Sequence, residues 1–215
     1  MMQRVFLIRR RQFLSTAGAV LLSGCGGIQL LPTPPSPQLY VLRPQIMPPM
    51  GAPVPWRLSV AEPEAPASFD TTRIALSRSP TTMDYFANSA WNDRVPLLLQ
   101  SLLIQSFDMS GRIIGVDRDT TGLENDYLLQ TEIHDFEARY DTPDAAPQIV
   151  VSVQAKLARM PQREIVATLN ATHQAQASAN TLDSVVMAFD EATGATIAQI
   201  AAWTLSAPPP PNPSR

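Results

Sequence analysis

The sequence predicts an α+β fold, a two-layer sandwich in which a mixed, mainly antiparallel sheet carries two long helices on one face. Three segments alternate apolar and polar residues, as half-buried strands do: 127–139, 148–159 and 164–174. Two other segments, 91–107 and 182–203, repeat apolar residues every three or four positions, as amphipathic helices do. A sheet and helices of this kind bury their apolar faces against each other.

The three long strands are expected to form an antiparallel meander. The first changes its alternation between Ile133 and Phe136, which predicts a β-bulge or a frayed strand end. Four shorter apolar segments, bounded mostly by Pro, Gly and Asp, are predicted as further strands, the first at an edge. They are 40–42, 56–60, 73–77 and 113–116.

Both helices have recognisable starts. The first is expected to begin near Trp91, and Pro96 is tolerated because it lies in the opening turn. The second is predicted to begin after Asn180 as the capping residue, with Asp183 as its reciprocal acid. Gly194 costs that helix about 1 kcal/mol relative to alanine. The apolar stripe continues beyond Gly194, so we expect a single helix.

The first 24 residues have the order of parts of an export signal. Arginines at 9–11 precede a short apolar stretch from Phe13 to Leu22, and small residues follow. About ten apolar residues are too few to span a bilayer, which needs roughly 20. We therefore interpret residues 1–24 as a removable signal peptide.

Leu22, Ser23, Gly24 and Cys25 resemble the lipobox of bacterial lipoproteins, in which the cysteine thiol is acylated. Cys25 is the only cysteine, so an internal disulfide is excluded. A buried free thiol behind an ordinary signal is the alternative. Gly26 stands where the inner-membrane retention signal of enterobacterial lipoproteins has aspartate, so the resemblance implies the periplasmic face of the outer membrane.

Arg10 and Arg11, followed by Gln12, Phe13 and Leu14, also resemble a twin-arginine export motif. Arginine pairs open many ordinary signals as well. Export by the general secretory route or by the twin-arginine route therefore stays open.

Proline divides the mature chain into three parts. Nine prolines between Gly26 and Pro55 predict a tether over residues 25–55, residues 56–206 form one folded domain, and residues 207–215 form a disordered Pro-rich tail. Without the four arginines of the signal, 12 basic residues face 19 acidic ones, giving a net charge of −7. No basic stripe is present, which excludes nucleic-acid binding as the class of function.

Catalytic patterns are missing from the sequence. His134 and His173 have no Cys, His or carboxylate partners at metal-ligand spacing, and no nucleophile motif occurs. Asp117 and Asp119 are interpreted as a solvated loop cluster. We expect no catalytic residue, no metal and no cofactor, and hence not an enzyme.

Several segments in order resemble the ABC-type transport auxiliary lipoproteins, over about residues 40–203. The segments that carry the resemblance are Asp70 to Ile74, Tyr85 with Trp91, Pro96 to Leu98, Asp126 to Leu129, and Phe136. The family accompanies transporters with mammalian-cell-entry (MCE) domains. The resemblance therefore implies a non-catalytic periplasmic subunit for lipid trafficking, with an MCE-domain protein as partner and the membrane reached through the lipid anchor. Contact with phospholipid and homo-oligomer formation stay open.

Asp84, Tyr85 and Trp91 are the candidate binding residues. In one interpretation Tyr85 and Trp91 fill one end of the core. In the other, all three flank a groove for a partner or a lipid tail. Two alternative functions remain beside the transport subunit: a structural or regulatory envelope lipoprotein, such as a cell-wall synthase activator or assembly factor, and an envelope hydrolase.

Overall fold

The computed structural model describes residues 36–142 and 144–210, and has an α+β fold with eight strands and two long helices. In chain order the elements are β1 (Gln38–Tyr40), β2 (Val54–Val60), β3 (Arg73–Ser79), β4 (Thr82–Trp91), α1 (Val95–Ser110), β5 (Ile113–Arg118), β6 (Tyr127–Arg139), β7 (Gln148–Arg159), β8 (Glu164–Gln176) and α2 (Leu182–Thr204). The signal segment, Cys25 and residues 211–215 lie outside the described residues. Within the described ranges, no helix is long and apolar enough to cross a membrane.

Strand β6 organises the sheet. On one side it pairs with β7 along its length, and β8 follows, which confirms the predicted meander. On the other side β2 pairs with the start of β6, at Leu58 and Tyr127, and β3 pairs with its end, at Leu76 and Ala138. The sheet therefore forks: β5 extends the β2 branch, while β4 and β1 extend the β3 branch.

The sheet is mixed, with its longest ladders antiparallel. Among the described strands, four of the seven pairings are parallel, although those ladders are short. The predicted bulge in β6 is confirmed, because the register shifts between Ile133 and Asp135. This shift moves the core-facing positions of β6 from odd to even residue numbers, so Phe136 and Ala138 continue the buried side.

The core lies between the sheet and the helices. Helix α1 packs on β2 and β5, α2 packs on β7 and β8, and the two helices contact each other. At one end, Trp91, Phe136 and Phe189 form an aromatic cluster, with Trp91 5.2 Å and edge-on from Phe189 and Phe136 stacked 5.0 Å from Phe189. A second pair, Trp56 and Tyr127, meets edge-on at 5.2 Å. Such pairs add about 0.5–1.5 kcal/mol to the free energy of burial.

The segment before α1 is a strand that sequence analysis did not predict. Trp91 ends β4, and the helix begins only at Val95, with Pro96 in its first turn as expected. Trp91 mimics a helical residue because it precedes Val95 by four positions and is buried in the same core. Sequence spacing therefore extended the helix by one turn.

The cap of α2 also differs from the prediction. Thr181 is the capping residue, and its hydroxyl accepts a hydrogen bond from the backbone N–H of Ser184. Asn180 instead accepts a hydrogen bond from the hydroxyl of Tyr140, and Asp183 accepts one from the hydroxyl of Tyr40. Both residues that were assigned to local capping thus hold distant parts of the chain.

Residues 41–53, which we call the strap, contact α2 at residues 43–45 and Arg112 at Met50 and Ala52, although sequence analysis assigned them to the tether. The backbone N–H of Arg43 donates to Asp190 at 2.7 Å. A Cβ on Gly194 would meet Pro44 at 3.2 Å, so the glycine lets the strap approach the helix closely. This contact gives a structural reason for a residue that weakens the helix by itself.

The start of the predicted disordered tail also contacts the folded body. The hydroxyl of Tyr127 donates a hydrogen bond to the backbone carbonyl of Pro208 at 2.8 Å. Residues 207–210 therefore continue from α2 across the end of the core. Only residues 211–215 of the predicted tail lie outside the described part.

Candidate functional site

Beyond the bulge, the side of β6 that faces away from the helices carries charge. Phe136 and Ala138 point into the core, so Asp135, Glu137 and Arg139 point to the opposite side, because neighbouring side chains of a strand alternate. The three charged side chains therefore stand in a row on the outer face of the sheet.

Arg139 binds both carboxylates of this row. Its Nε donates to Glu137 Oε1 at 2.7 Å, and its Nη2 donates to Asp135 Oδ1 at 2.5 Å. Burial lowers the pKa of Arg139, but the hydrogen bonds and negative charges of Glu137 and Asp135 outweigh burial and raise the pKa above its ordinary value. The guanidinium is thus fixed in its charged form between its two partners.

Glu137 is the unusual member, because it is a carboxylate in a nearly closed position. The residue is only 6% exposed, and among the described residues its Oε2 finds no hydrogen-bond donor. A buried acceptor without a donor costs about 1–3 kcal/mol, and more when it is charged. The site is therefore incomplete in its hydrogen bonding at one atom.

These residues lie in a cleft of about 610 Å³, which we call the acidic cleft. The hairpin of β3 and β4 forms one wall, and the end of β6 forms the floor. The wall includes Ser77, Ser79, Pro80, Thr82 and Met83. Tyr140 and Asp141 complete the lining at the end of β6.

Tyr140 connects the cleft to the helix layer. Its hydroxyl donates to Asn180 at 2.9 Å, just before α2. Burial raises the pKa of Tyr140, while the charge of Arg78 acts in the opposite direction. The phenol therefore remains protonated near neutral pH and serves as a hydrogen-bond donor.

The three residues that sequence analysis chose do not share one groove. Trp91 is 1% exposed and lies in the aromatic cluster, so it fills the core. Tyr85 is half-buried on β4, with the guanidinium carbon of Arg73 3.6 Å from its ring centre. Asp84 is exposed and pairs with Arg78 at 3.7 Å, and as the strand neighbour of Tyr85 it points to the other side. A groove role for Asp84 and Tyr85 stays a prediction.

The two histidines are held by polar neighbours. His134 lies 3.5 Å from a carboxylate oxygen of Glu132, and His173 lies 2.8 Å from the side-chain oxygen of Gln199. In the described parts of the chain, no three His, Cys, Asp or Glu residues are grouped so that they could hold a metal ion. The acidic cleft is thus a cluster of charges and hydroxyls without a metal-ligand arrangement.

Sequence analysis missed the acidic cleft, although a signal was present. The residues from Asp135 to Arg139 alternate charged and apolar side chains, which predicts charges on one face of a strand. The bulge that determines which face carries the charges was predicted, but the hairpin of β3 and β4 that stands beside them was not. A row of charges on a strand face with nothing beside it is interpreted as solvent-exposed surface.

Two solved structures with this fold are informative. A crystal structure of a Xanthomonas campestris protein shares 25% identity with this chain and has a TM-score of 0.73, covering 78% of this chain and 94% of that chain. The crystal structure of an uncharacterized protein shares 16% identity and has a TM-score of 0.62, covering 79% of this chain and 99% of that chain. The second similarity shows the fold alone. No curated protein sequence matches this chain.

The forked eight-stranded sheet with its two helices defines the described body as an α+β domain, a fold that the two crystal structures share. A model of one family matches residues 38–201, nearly the whole described body. The chain belongs to the ABC-type transport auxiliary lipoprotein component family. The family expected from the sequence is thereby confirmed.

Proposed function

We propose that this protein is a non-catalytic, periplasmic lipoprotein subunit of an MCE-type ABC transport system that moves lipid between membranes. The observation that carries the proposal is the family match over residues 38–201. The sequence from Leu22 to Cys25 supports it independently, because it supplies the lipid attachment that such a subunit needs. The partner is an MCE-domain protein, and the cargo is phospholipid.

The proposed location is the periplasmic face of the outer membrane. Cys25 carries the acyl chains, and Gly26 lacks the negative charge of an inner-membrane retention signal. A single acyl chain gives only reversible binding, whereas multiple chains hold a protein stably on a bilayer. Residues 26–35 then connect the anchor to β1.

The anchor is tested by mass spectrometry of the mature protein from a membrane fraction. We expect a first residue at Cys25 with a diacylglycerol mass on its sulfur, and we expect the Cys25→Ala variant to leave the membrane fraction. A mature protein that begins elsewhere, or an unmodified sulfur, would contradict the proposal.

The partner is tested by crosslinking in cells followed by purification of the tagged full chain. We expect an MCE-domain protein and its transporter among the crosslinked products. Recovery of a cell-wall synthase in its place would support the alternative of a regulatory envelope lipoprotein. Repeated failure to recover any MCE-domain protein under these conditions would contradict the transport role.

A further inference from the structure

The residues that line the acidic cleft carry more negative than positive charge. Asp135, Glu137 and Asp141 contribute three carboxylates, whereas Arg139 is the one cation in the lining. Arg139 is already held by two of the carboxylates. Arg78, whose guanidinium carbon lies 5.8 Å from the ring centre of Tyr140, is paired with Asp84. A further group that enters the cleft therefore meets a net negative site, which attracts a cation and repels an anion.

One atom in this site requires a donor. Glu137 Oε2 is buried without a hydrogen bond among the described residues, although Oε1 of the same carboxylate is satisfied by Arg139. A charged N–H donor at this oxygen would form a charge-assisted hydrogen bond, which is stronger than a bond between neutral groups. The same position is unfavourable for a hydrophobic group, which would leave the oxygen unpaired.

The walls of the cleft suit a long side chain with an aliphatic stem and a positively charged end group. Pro80 and Met83 offer apolar surface, and Met83 is 41% exposed in this structure. Lysine and arginine side chains cover apolar surface with their methylene groups while placing charge at the tip. Ser79 and Thr82, whose hydroxyls lie 2.7 Å apart, can bond the backbone on either side of such a residue.

The cleft is large enough for a side chain together with the backbone that carries it. A volume of about 610 Å³ exceeds that of one side chain and falls in the range of binding sites, which is about 300–1,000 Å³. A bare metal ion fits less well, because the guanidinium of Arg139 lies between Asp135 and Glu137 and the described residues provide no group of metal ligands.

We propose that the acidic cleft binds a lysine or arginine side chain of a protein partner, with the charged head donating to Glu137 and the stem lying against Met83. The inference rests on the proposed function only for the identity of the partner, a component of the transport system. The chemistry of the cleft stands on its own.

The test is a titration of the mature full-length lipoprotein in detergent micelles, labelled with ¹⁵N-arginine. The probe is the acetylated and amidated peptide Gly-Ala-Lys-Ala-Gly, and the matched control peptide has norleucine in place of lysine. The reporter is the Nε–H signal of Arg139, which donates to Glu137. We expect a saturable shift with the lysine peptide and none with the norleucine peptide. Equal shifts, or no saturation up to about 10 mM, would overturn the proposal.

Variants locate the binding site. Glu137→Gln keeps the shape of the side chain and removes its charge, and we expect at least about tenfold weaker binding of the lysine peptide. Glu132→Gln is the matched control, because Glu132 lies on the same strand but pairs with His134 and Lys156 outside the cleft. An equal loss in both variants would contradict the assigned site.

A second variant covers the case in which Glu137→Gln does not fold. Asp141→Asn removes an exposed charge from the lining and leaves the buried row intact. We expect about threefold weaker binding, since a distant exposed charge contributes less than a direct partner. Unchanged binding in this folded variant would argue against recognition by the charge of the cleft.

O-phosphoethanolamine serves as the probe for a lipid headgroup with the same ammonium chemistry. Tighter binding of this probe than of the lysine peptide would overturn the peptide assignment. If the lysine peptide binds but no MCE protein is crosslinked in cells, the proposed function fails and the cleft assignment stands. If an MCE protein is crosslinked equally well with Glu137→Gln, the assignment fails and the proposed function stands.

Discussion

Phe136 and Glu137 are neighbours in β6, yet they belong to different regions of the molecule. Phe136 is enclosed by Trp91 and Phe189 in a cluster without charge, whereas Glu137 lies in the row of ionised groups on the outer face. Both are almost fully buried. Each region leaves one polar atom without a partner among the described residues, but Trp91 Nε1 in the aromatic cluster on the helix side is neutral, whereas Glu137 Oε2 in the row on the outer side belongs to a carboxylate.

The difference indicates that the helix side of β6 stabilises the fold, whereas its outer side is suited to binding. Apolar residues on the helix side contribute through area removed from water, which requires no partner from outside. The charged row gains little from burial, since desolvation offsets much of the attraction between its members. Substitutions on the two sides of β6 should therefore have different sizes of effect on unfolding, and different effects on binding.

The largest effect is expected from Phe136→Ala. Removing a buried aromatic ring from contact with Trp91 and Phe189 leaves a cavity, and we expect the free energy of unfolding to fall by about 3–5 kcal/mol. Guanidinium denaturation followed by tryptophan fluorescence measures it, with Thr168→Ala on β8 as a surface control. A loss below about 1 kcal/mol would show that the cluster is not well packed.

A smaller loss is expected from Arg139→Met on the outer side. The change removes the donor that Glu137 has among the described residues, but the arginine side chain is 40% exposed, so we expect a loss of about 1–2 kcal/mol. The double variant with Glu137→Gln should recover part of this loss, because the buried charge is then gone. A double-mutant cycle of unfolding free energies measures the coupling, and strictly additive effects would contradict the pairing.

The smallest effect concerns Asp190, a carboxylate on α2 that accepts a hydrogen bond from the backbone N–H of Arg43 in the strap. Burial raises its pKa above the ordinary value of 3.8, and the N–H of Arg43 offsets this only in part. A raised carboxyl pKa means that the folded protein binds the proton more tightly than the unfolded chain. The contribution of Asp190 to stability is therefore full in acid and is lost as pH rises from about 3.8 through the folded pKa.

Asp190→Asn removes this titration and keeps an oxygen acceptor for Arg43. We expect the melting temperature of the variant, relative to that of the native chain, to increase between pH of about 3 and about 7. Thermal melts of both proteins at each pH provide the measurement. A difference that stays constant or shrinks towards neutral pH would show that Asp190 is not the titrating group.

The sequence predicted the elements that depend on regular alternation. The meander and the bulge in β6 were predicted from side-chain periodicity. Helix α2 continues past Gly194 as a single helix, as expected. Strand β4 was missed because its register against β3 is interrupted between Tyr85 and Ala90, with Asn88 in a left-handed conformation, and such an irregular strand has no clean period of two.

The candidate site was harder to predict because it depends on pairings between distant strands. The β3–β4 hairpin stands over the end of β6 through the pairing of Leu76 with Ala138, and no local pattern encodes that contact. Asn180 and Asp183 were also assigned wrongly for this reason. Local patterns predict that they cap α2, but hydrogen bonds from the distant Tyr140 and Tyr40 determine their roles. Composition alone also could not show that Pro44 lies against Gly194 of α2.

The course of the strap determines how mechanical tension would enter the body. Any pull along the chain from the direction of Cys25 reaches β1 first, and β1 pairs in parallel with β4 at three positions. A pull directed along β1 loads these bonds in shear, all at once, and the bonds of Tyr40 to Asp183 and Arg43 to Asp190 resist it next. The body is therefore held by one sheet edge and by contacts with α2. The load on β1 passes to β4, whose first residues form part of the wall of the acidic cleft.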